Sequence, residues 1–148
     1  MNKIIYLILL FLFSCQAQKK EDLKIQKYKN VADYFLGTWK FVEKNYEEGE
    51  ERKIYPLHEC TKKYTWRFEK DQDQFFLTKN FTTGKDCSIT SSSRRFPVTV
   101  ENNTISYMEG DLKRLERYQV VNPNSFFIEY TDILQGKIRN IRDVYERQ

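Results

Sequence analysis

Histidine is almost absent from this chain, with one residue, His58, in 148, and glycine and proline are sparse at five and three. One imidazole cannot build a multi-histidine zinc centre and leaves a hydrolytic triad without its usual base unless His58 supplies it from a loop. There is no Gly-x-Ser-x-Gly elbow, no His-Glu-x-x-His pair and no glycine-rich phosphate loop following a strand. Ser91, Ser92 and Ser93, ahead of Arg94 and Arg95, form a polar loop with no base beside it. Long apolar runs are lacking too: Ile4 to Phe13 is about half the ~20 residues a spanning helix needs. Charge of one sign is not in excess, since the formal +4 arises from 25 basic and 21 acidic residues interleaved along the chain, which describes a solvated surface better than a nucleic-acid footprint. No enzyme activity, no cofactor and no nucleic-acid partner are expected.

Aromatic residues are plentiful, at 16 %, and they alternate with polar ones. Leu36-Gly37-Thr38-Trp39-Lys40-Phe41 reads as the entry into a first strand: glycine permits a tight turn, and Trp39 and Phe41 fall on one face. Val31 to Leu36, just before it, has the length of one helical turn. Glu47 to Lys63 is hydrophilic and interrupted by Gly49 and Pro56, and is expected to be a long connection. Strands are expected at Tyr64 to Glu69, Phe75 to Thr78, Phe96 to Val100, Thr104 to Tyr107, Leu112 to Val120, Ser125 to Thr131 and Lys137 to Tyr145, with a short ninth if Ile89 contributes. Turn residues at Asp71-Gln72-Asp73, Asn102-Asn103, Gly110-Asp111, Asn122-Pro123-Asn124 and Gln135-Gly136 separate them. Eight short antiparallel strands with no helix to cover a face hide their edges by closing, so the fold class is all-β, an eight-stranded up-and-down antiparallel barrel with a short helical turn before strand 1.

The first residues carry Lys3, the apolar run and then Leu12-Phe13-Ser14-Cys15. That ending resembles the lipobox of bacterial lipoproteins, and the resemblance implies cleavage before Cys15, diacylglyceryl attachment at its Sγ and addition of fatty-acyl chains such as palmitate. An ordinary signal with an incidental cysteine is the alternative. The organisation read from this is a lipoprotein signal peptide over 1–14, a lipidated cysteine and flexible tether over 15–30, and one domain over 31–148. Gln16-Ala17 resembles lipoproteins sorted to an outer membrane, and Lys20-Glu21-Asp22 is similar to the charged export signals of surface lipoproteins in Bacteroidetes-type bacteria. The implied location is the cell envelope, anchored to the outer membrane on its periplasmic or exposed side.

With Cys15 given to lipid, Cys60 and Cys87 remain, and in an oxidising compartment they are expected to form a disulfide. The rival is a metal site of His58, Cys60 and Cys87 completed by carboxylates, for which His-x-Cys is not a standard zinc spacing.

Gly37-Thr38-Trp39 at the start of a first strand, preceded by a helical turn and followed by a long loop and seven more strands, resembles the lipocalin family and its small bacterial lipoproteins, calycin-type barrels. The resemblance implies that Trp39 packs at the closed base, with Gly37 beside it, under an arginine of the last strand. Arg147 is the candidate and Arg142 the alternative, and closure brings Tyr145 and Arg147 toward Trp39. It also implies a small hydrophobic ligand, held by Phe41, Tyr55, Trp66, Phe68, Phe75, Tyr107 and Phe126. The mouth is expected opposite Trp39, with Tyr55, Pro56, Leu57 and His58 as its lid. The inward faces are nearly all large, so a filled barrel stays open beside a hollow one. Two functions follow: a lipid-anchored envelope lipoprotein that binds or carries a small hydrophobic ligand, or a solid-barrel module for a protein partner, such as an inhibitor or assembly factor.

Overall fold

The computed structural model describes residues 31–148, so the leader, Cys15 and the tether lie outside the described residues. A single helical turn, α1 (Val31–Phe35), is followed by β1 (Gly37–Glu48), β2 (Glu51–Tyr55), a 3-10 turn (Thr61–Lys63), β3 (Thr65–Asp71), β4 (Gln74–Thr83), β5 (Ile89–Ser92), β6 (Phe96–Glu101), β7 (Thr104–Glu109), β8 (Leu112–Asn122), β9 (Ser125–Leu134) and β10 (Lys137–Arg147). Every pairing is antiparallel, in the order β1, β3, β4, β6, β7, β8, β9, β10, and β10 returns to β1 to close the ring. Closure removes the free edges that a sheet of this size would otherwise expose.

Two strands stand outside the eight of the barrel. β1 pairs with β3 over Gly37 to Lys40 and with β2 over Lys44 to Glu48. β5 extends the line of β6 along the far half of β4. The expected long connection after β1 is thus partly a hairpin, turning at Gly49 (φ +65°). Its polarity misled because both faces of β2 are solvated, so no alternation of apolar residues marks it. Asn102 and Asn103, like Gln135 and Gly136, all have positive φ, as two-residue hairpin turns of the type that matches strand twist require.

The base of the barrel is built on Trp39. Its indole is fully buried, and Nε1 donates to the Phe35 carbonyl at 2.6 Å. Phe126 meets it edge-to-face at 4.9 Å and Tyr34 lies at 5.2 Å. In the closing register Trp39 is opposite Arg147 and Phe41 opposite Tyr145. Arg147 lays its guanidinium 4.2 Å from the indole centroid and donates to the carbonyls of Leu36 at 2.5 Å and Tyr34 at 2.6 Å, so one side chain holds the last strand, the first strand and the end of α1. Gly37 adopts φ +111°, and a Cβ there would stand 3.2 Å from Arg147 Nη1. Arg142 points to the other face, stacks on Phe127 at 4.4 Å and pairs with Glu129.

At the far end Arg139, itself buried, binds the Glu47 carbonyl at 3.2 Å and the Glu48 carboxylate at 2.5 Å, with Lys53 on the same carboxylate. The hydrogen bond from Lys53 and then that from Arg139 hold the Glu48 carboxyl down at about 2. Cys60 and Cys87 are joined, 27 residues apart, and tie the 3-10 turn to the chain after β4.

Trp39→Ala is expected to lose about 3 to 5 kcal/mol of unfolding free energy in urea titrations. Arg147→Met, which keeps the packing volume but not the donors, is expected to lose ~1 to 2 kcal/mol. For Glu48 the folded pKa lies below the unfolded one, so its contribution is complete above the ordinary value of 4.5 and is lost as pH falls through about 2. Carboxyl NMR titration should show a midpoint near 2 that moves toward the ordinary value in Arg139→Met.

Candidate functional site

The alternation of β-strands points Trp39, Phe41, Trp66, Phe68, Phe96, Val98, Ile105, Tyr107, Phe126 and Ile128 into one core, joined by Tyr34, Phe35, Leu77, Tyr118, Val120 and Tyr145. Phe126 and Tyr145 stack at 5.2 Å with their planes 9° apart, and Tyr145 also meets Phe41 at 5.4 Å and Trp66 at 4.9 Å. These rings fill the closed half of the barrel. Phe41, Phe68 and Phe126, expected to line a ligand cavity, are therefore packing residues: each is at most 4 % exposed. Phe75 sits at the closed end, in a groove with Val31, Ala32 and Val98. Tyr55 lies on β2 opposite Lys44 in the ladder, outside the barrel ring.

The open half is built differently. β8 pairs with β7 from Leu112 to Arg117 but with β9 only from Arg117 down to Asn122, while β9 stays on β10 as far as Leu134. Beyond Arg117 and Glu129 the two strands part, leaving a recess of about 430 Å³. Trp66, Ile128 and Tyr145 form its apolar part; Arg114, Glu116, Tyr130, Asp132 and Asp143 supply polar groups. Such a mixture of aromatic walls and a few converging polar atoms is the usual make-up of a small-molecule site. The mouth does lie opposite Trp39, but Tyr55, Pro56, Leu57 and His58 do not line it, so the expected lid is corrected. Leu57 packs instead against the core cluster, and the disulfide and 3-10 turn hold this segment against β1 and β4.

Two hydrogen-bonded clusters border the recess. In the first, Lys44 Nζ donates to Tyr130 OH and lies 2.9 Å from Asp143 Oδ1, while Tyr130 OH donates to Asp143 Oδ2 at 3.2 Å. A bulge at Val42 puts Lys44 there: it shifts the register so that Lys44 faces Asp143 and Tyr46 faces Ile141. Burial alone would lower the Lys44 pKa, but the bonds to Tyr130 and Asp143 outweigh it and raise it. Burial raises the Asp143 carboxyl, against the pull of Lys44. In the second cluster Lys79 Nζ donates to Tyr107 OH, which donates to Glu116 Oε1 at 2.9 Å. Lys79 is opposite Trp66 in the β3–β4 ladder and lies 5.2 Å over its ring and 4.6 Å over that of Tyr107. Burial pushes the Lys79 ammonium down and the Tyr107 phenol well up.

Of the residues expected to bind ligand, then, Trp66 lines the recess and Tyr107 stands one hydrogen bond behind it. The charged groups Lys79, Glu116 and Asp143 were not expected, although each shares its strand face with a residue of apolar phase: Leu77, Tyr118 and Tyr145. Lys44 carried no such signal, because the bulge breaks the phase set by Trp39 and Phe41. His58, Cys60 and Cys87 do converge, their ligand atoms within 4.8 Å, but both sulfurs are spent in the disulfide and His58 Nδ1 accepts the Cys60 backbone N–H at 3.2 Å, so they form no metal centre.

Asp143→Asn leaves Lys44 with an uncompensated, largely buried charge and is expected to lose roughly 2 to 4 kcal/mol. Replacing the pair together, Lys44→Met with Asp143→Leu, should recover most of that loss; equal losses in the single and double variants, read by urea unfolding, would deny the coupling.

No curated protein sequence matches the chain. Among solved structures, apocrustacyanin C2 superposes with a TM-score of 0.48 at 10 % identity, over 86 % of this chain and 68 % of that one. The model of the lipocalin-like domain family matches residues 35–128, which runs from the end of α1, through the Gly-x-Trp entry, into β9, and takes in Trp66, Arg114, Glu116 and Ile128 of the recess but not Tyr130, Asp132, Asp143 or Tyr145. With more than half its length so matched, the chain belongs to the lipocalin-like domain family.

Proposed function

We propose that this chain is a lipid-anchored lipoprotein of the bacterial cell envelope whose barrel binds or carries a small hydrophobic molecule with a polar end. The single observation that carries the binding reading is the recess at the mouth, where Trp66, Ile128 and Tyr145 offer apolar contact within reach of Arg114, Glu116 and Asp143. The apolar part of a ligand would rest on the rings and its polar end on the charged rim. A filled closed half sets the size limit: the ligand occupies the mouth and does not run the length of the barrel. Binding without turnover is part of the proposal: no serine, threonine or cysteine lines the recess, and its Glu116 and Asp143 are tied to tyrosines.

The anchor rests on the resemblance of Leu12-Phe13-Ser14-Cys15 to a lipobox. Support from the fold is positional. α1 begins at Val31 on the closed base, so the described chain enters the barrel at the end away from the recess. Placement at the outer membrane, in bacteria similar to Bacteroidetes, belongs to the same proposal and rests on the composition after Cys15.

Native mass spectrometry with organic extraction tests the binding reading on the full chain purified from membranes. A reproducible small amphiphile is expected, with occupancy at least tenfold lower in Arg114→Ala, an exposed residue of the recess rim, at closely similar thermal stability of the fold. Consistently ligand-free protein that also fails to take up added fatty acids or isoprenoids would overturn it. In the same preparations Cys15→Ser should move the protein from the membrane to the soluble fraction.

A further inference from the structure

Two lysines enter the barrel, and their surroundings differ. Lys44 is matched to Asp143 at 2.9 Å and to Tyr130. Lys79 has no carboxylate so close: Glu109 lies at 3.7 Å and is itself held by Arg114 at 2.9 Å, and Glu116 is reached only through Tyr107. The Lys79 side chain is 11 % exposed and lies between the faces of Trp66 and Tyr107. Trp66 and Glu116 line the recess, so the amine stands directly behind its wall.

We infer that Lys79 is a carbonyl-capturing amine that forms an imine with an aldehyde-bearing ligand seated in the recess. The inference rests on the ligand-binding reading above and adds the chemical class of the ligand. The hydrogen-bonded line Lys79, Tyr107, Glu116 provides the proton path: Lys79 gives a proton to the Tyr107 oxygen as Tyr107 gives its own to Glu116, leaving a neutral amine. The nitrogen lone pair attacks the carbonyl carbon, the C=O pair moves to oxygen, and one N–H proton passes to that oxygen, giving a carbinolamine. Glu116 returns its proton to the hydroxyl, which departs as water as the nitrogen lone pair closes the C=N bond, and the last N–H proton of the resulting iminium goes back to Glu116. Aldehyde and amine give imine and one water, with no change of oxidation state. Burial, the largest influence on Lys79, lowers its pKa and Arg114 acts the same way, while the facing Glu109 and Glu116 favour the ammonium; an apolar aldehyde adds the desolvated surroundings in which such amines act. The same groups would serve a protonated imine, with Glu109 as its counterion.

The test uses cinnamaldehyde and, as its non-reacting isostere, cinnamyl alcohol on the purified full chain, with sodium cyanoborohydride to trap any imine and peptide mapping to place it. Quenching of tryptophan fluorescence by both compounds, with a reduced adduct on Lys79 formed at least tenfold faster than on any exposed lysine, is expected. Lys79→Arg should keep alcohol binding and lose the fast adduct, and Lys44→Arg should keep both. Alcohol binding with adducts only on exposed lysines, or a fast adduct that survives Lys79→Arg, overturns the role of Lys79 and leaves the ligand site standing. Binding of neither compound, with no adduct on Lys79, overturns both.

Discussion

Closure of the barrel depends on Arg147. An eight-stranded antiparallel ring has one seam at which the last strand must find the first, and nothing in the chain's local turns enforces it, because the joined residues, such as Trp39 and Arg147, are far apart in the chain. At that seam one guanidinium spans the Trp39 indole and the carbonyls of Tyr34 and Leu36. It thereby satisfies acceptors that a helix as short as α1 cannot satisfy within itself, and it does so with a cation at the carbonyl end. Trp39 is fixed twice, by its own bond to Phe35 and by the guanidinium above it. Gly37 is the companion constraint, since its positive φ and the missing side chain admit the arginine.

Everything apolar then packs upward from that point. Phe35, Trp39, Phe126, Tyr145 and Trp66 touch in succession through ring contacts between 4.9 and 6.3 Å, which carries the aromatic core from the base to the floor of the recess. Above it the interior turns polar. Burying two lysines there has a desolvation cost that aromatic packing would not, and it is met by bonds to phenols: Tyr130 serves Lys44, and Tyr107 serves Lys79. A phenol can accept from an ammonium and donate to a carboxylate at once, so Tyr107 links Lys79 to Glu116, and Tyr130 braces the direct pair of Lys44 and Asp143.

The sequence disclosed the parts of this arrangement that follow a strict alternation. Strand faces from Trp66 and Phe68 through Phe126 and Ile128 could be read because period two leaves apolar residues on one side, and the turns were marked by asparagine, aspartate and glycine. The Gly-x-Trp entry was legible for the same local reason. Hidden features are those that break the period or depend on pairing. β2 is solvated on both faces and has no pattern to detect. The Val42 bulge moves Lys44 from the outer phase to the inner one with no residue type to announce it. The parting of β8 from β9 is a matter of hydrogen-bond pairing, and Leu112 to Glu116 carries no sign that its neighbour is lost. For that reason a site inferred from large inward residues fell on the filled half, whereas the recess lies where charged residues occupy inward positions.

That displacement has a physical cause. In a barrel of eight strands the interior is only about wide enough for side chains to fill it, so residues that are large, inward and aromatic are the ones that exclude a ligand. Room appears where the ladder opens and where the inward side chains are held back against the walls by mutual bonds, as Lys44, Tyr130 and Asp143 are on one side and Lys79, Tyr107 and Glu116 on the other. A charge tied to its neighbour cannot collapse into the recess as a leucine in its place would, since doing so would break bonds it has no means to replace. Paired charges at the mouth therefore act as struts. They hold open a space above an aromatic floor, while the closed half, with its ring stack and its arginine lock, bears the stability that the open half gives up.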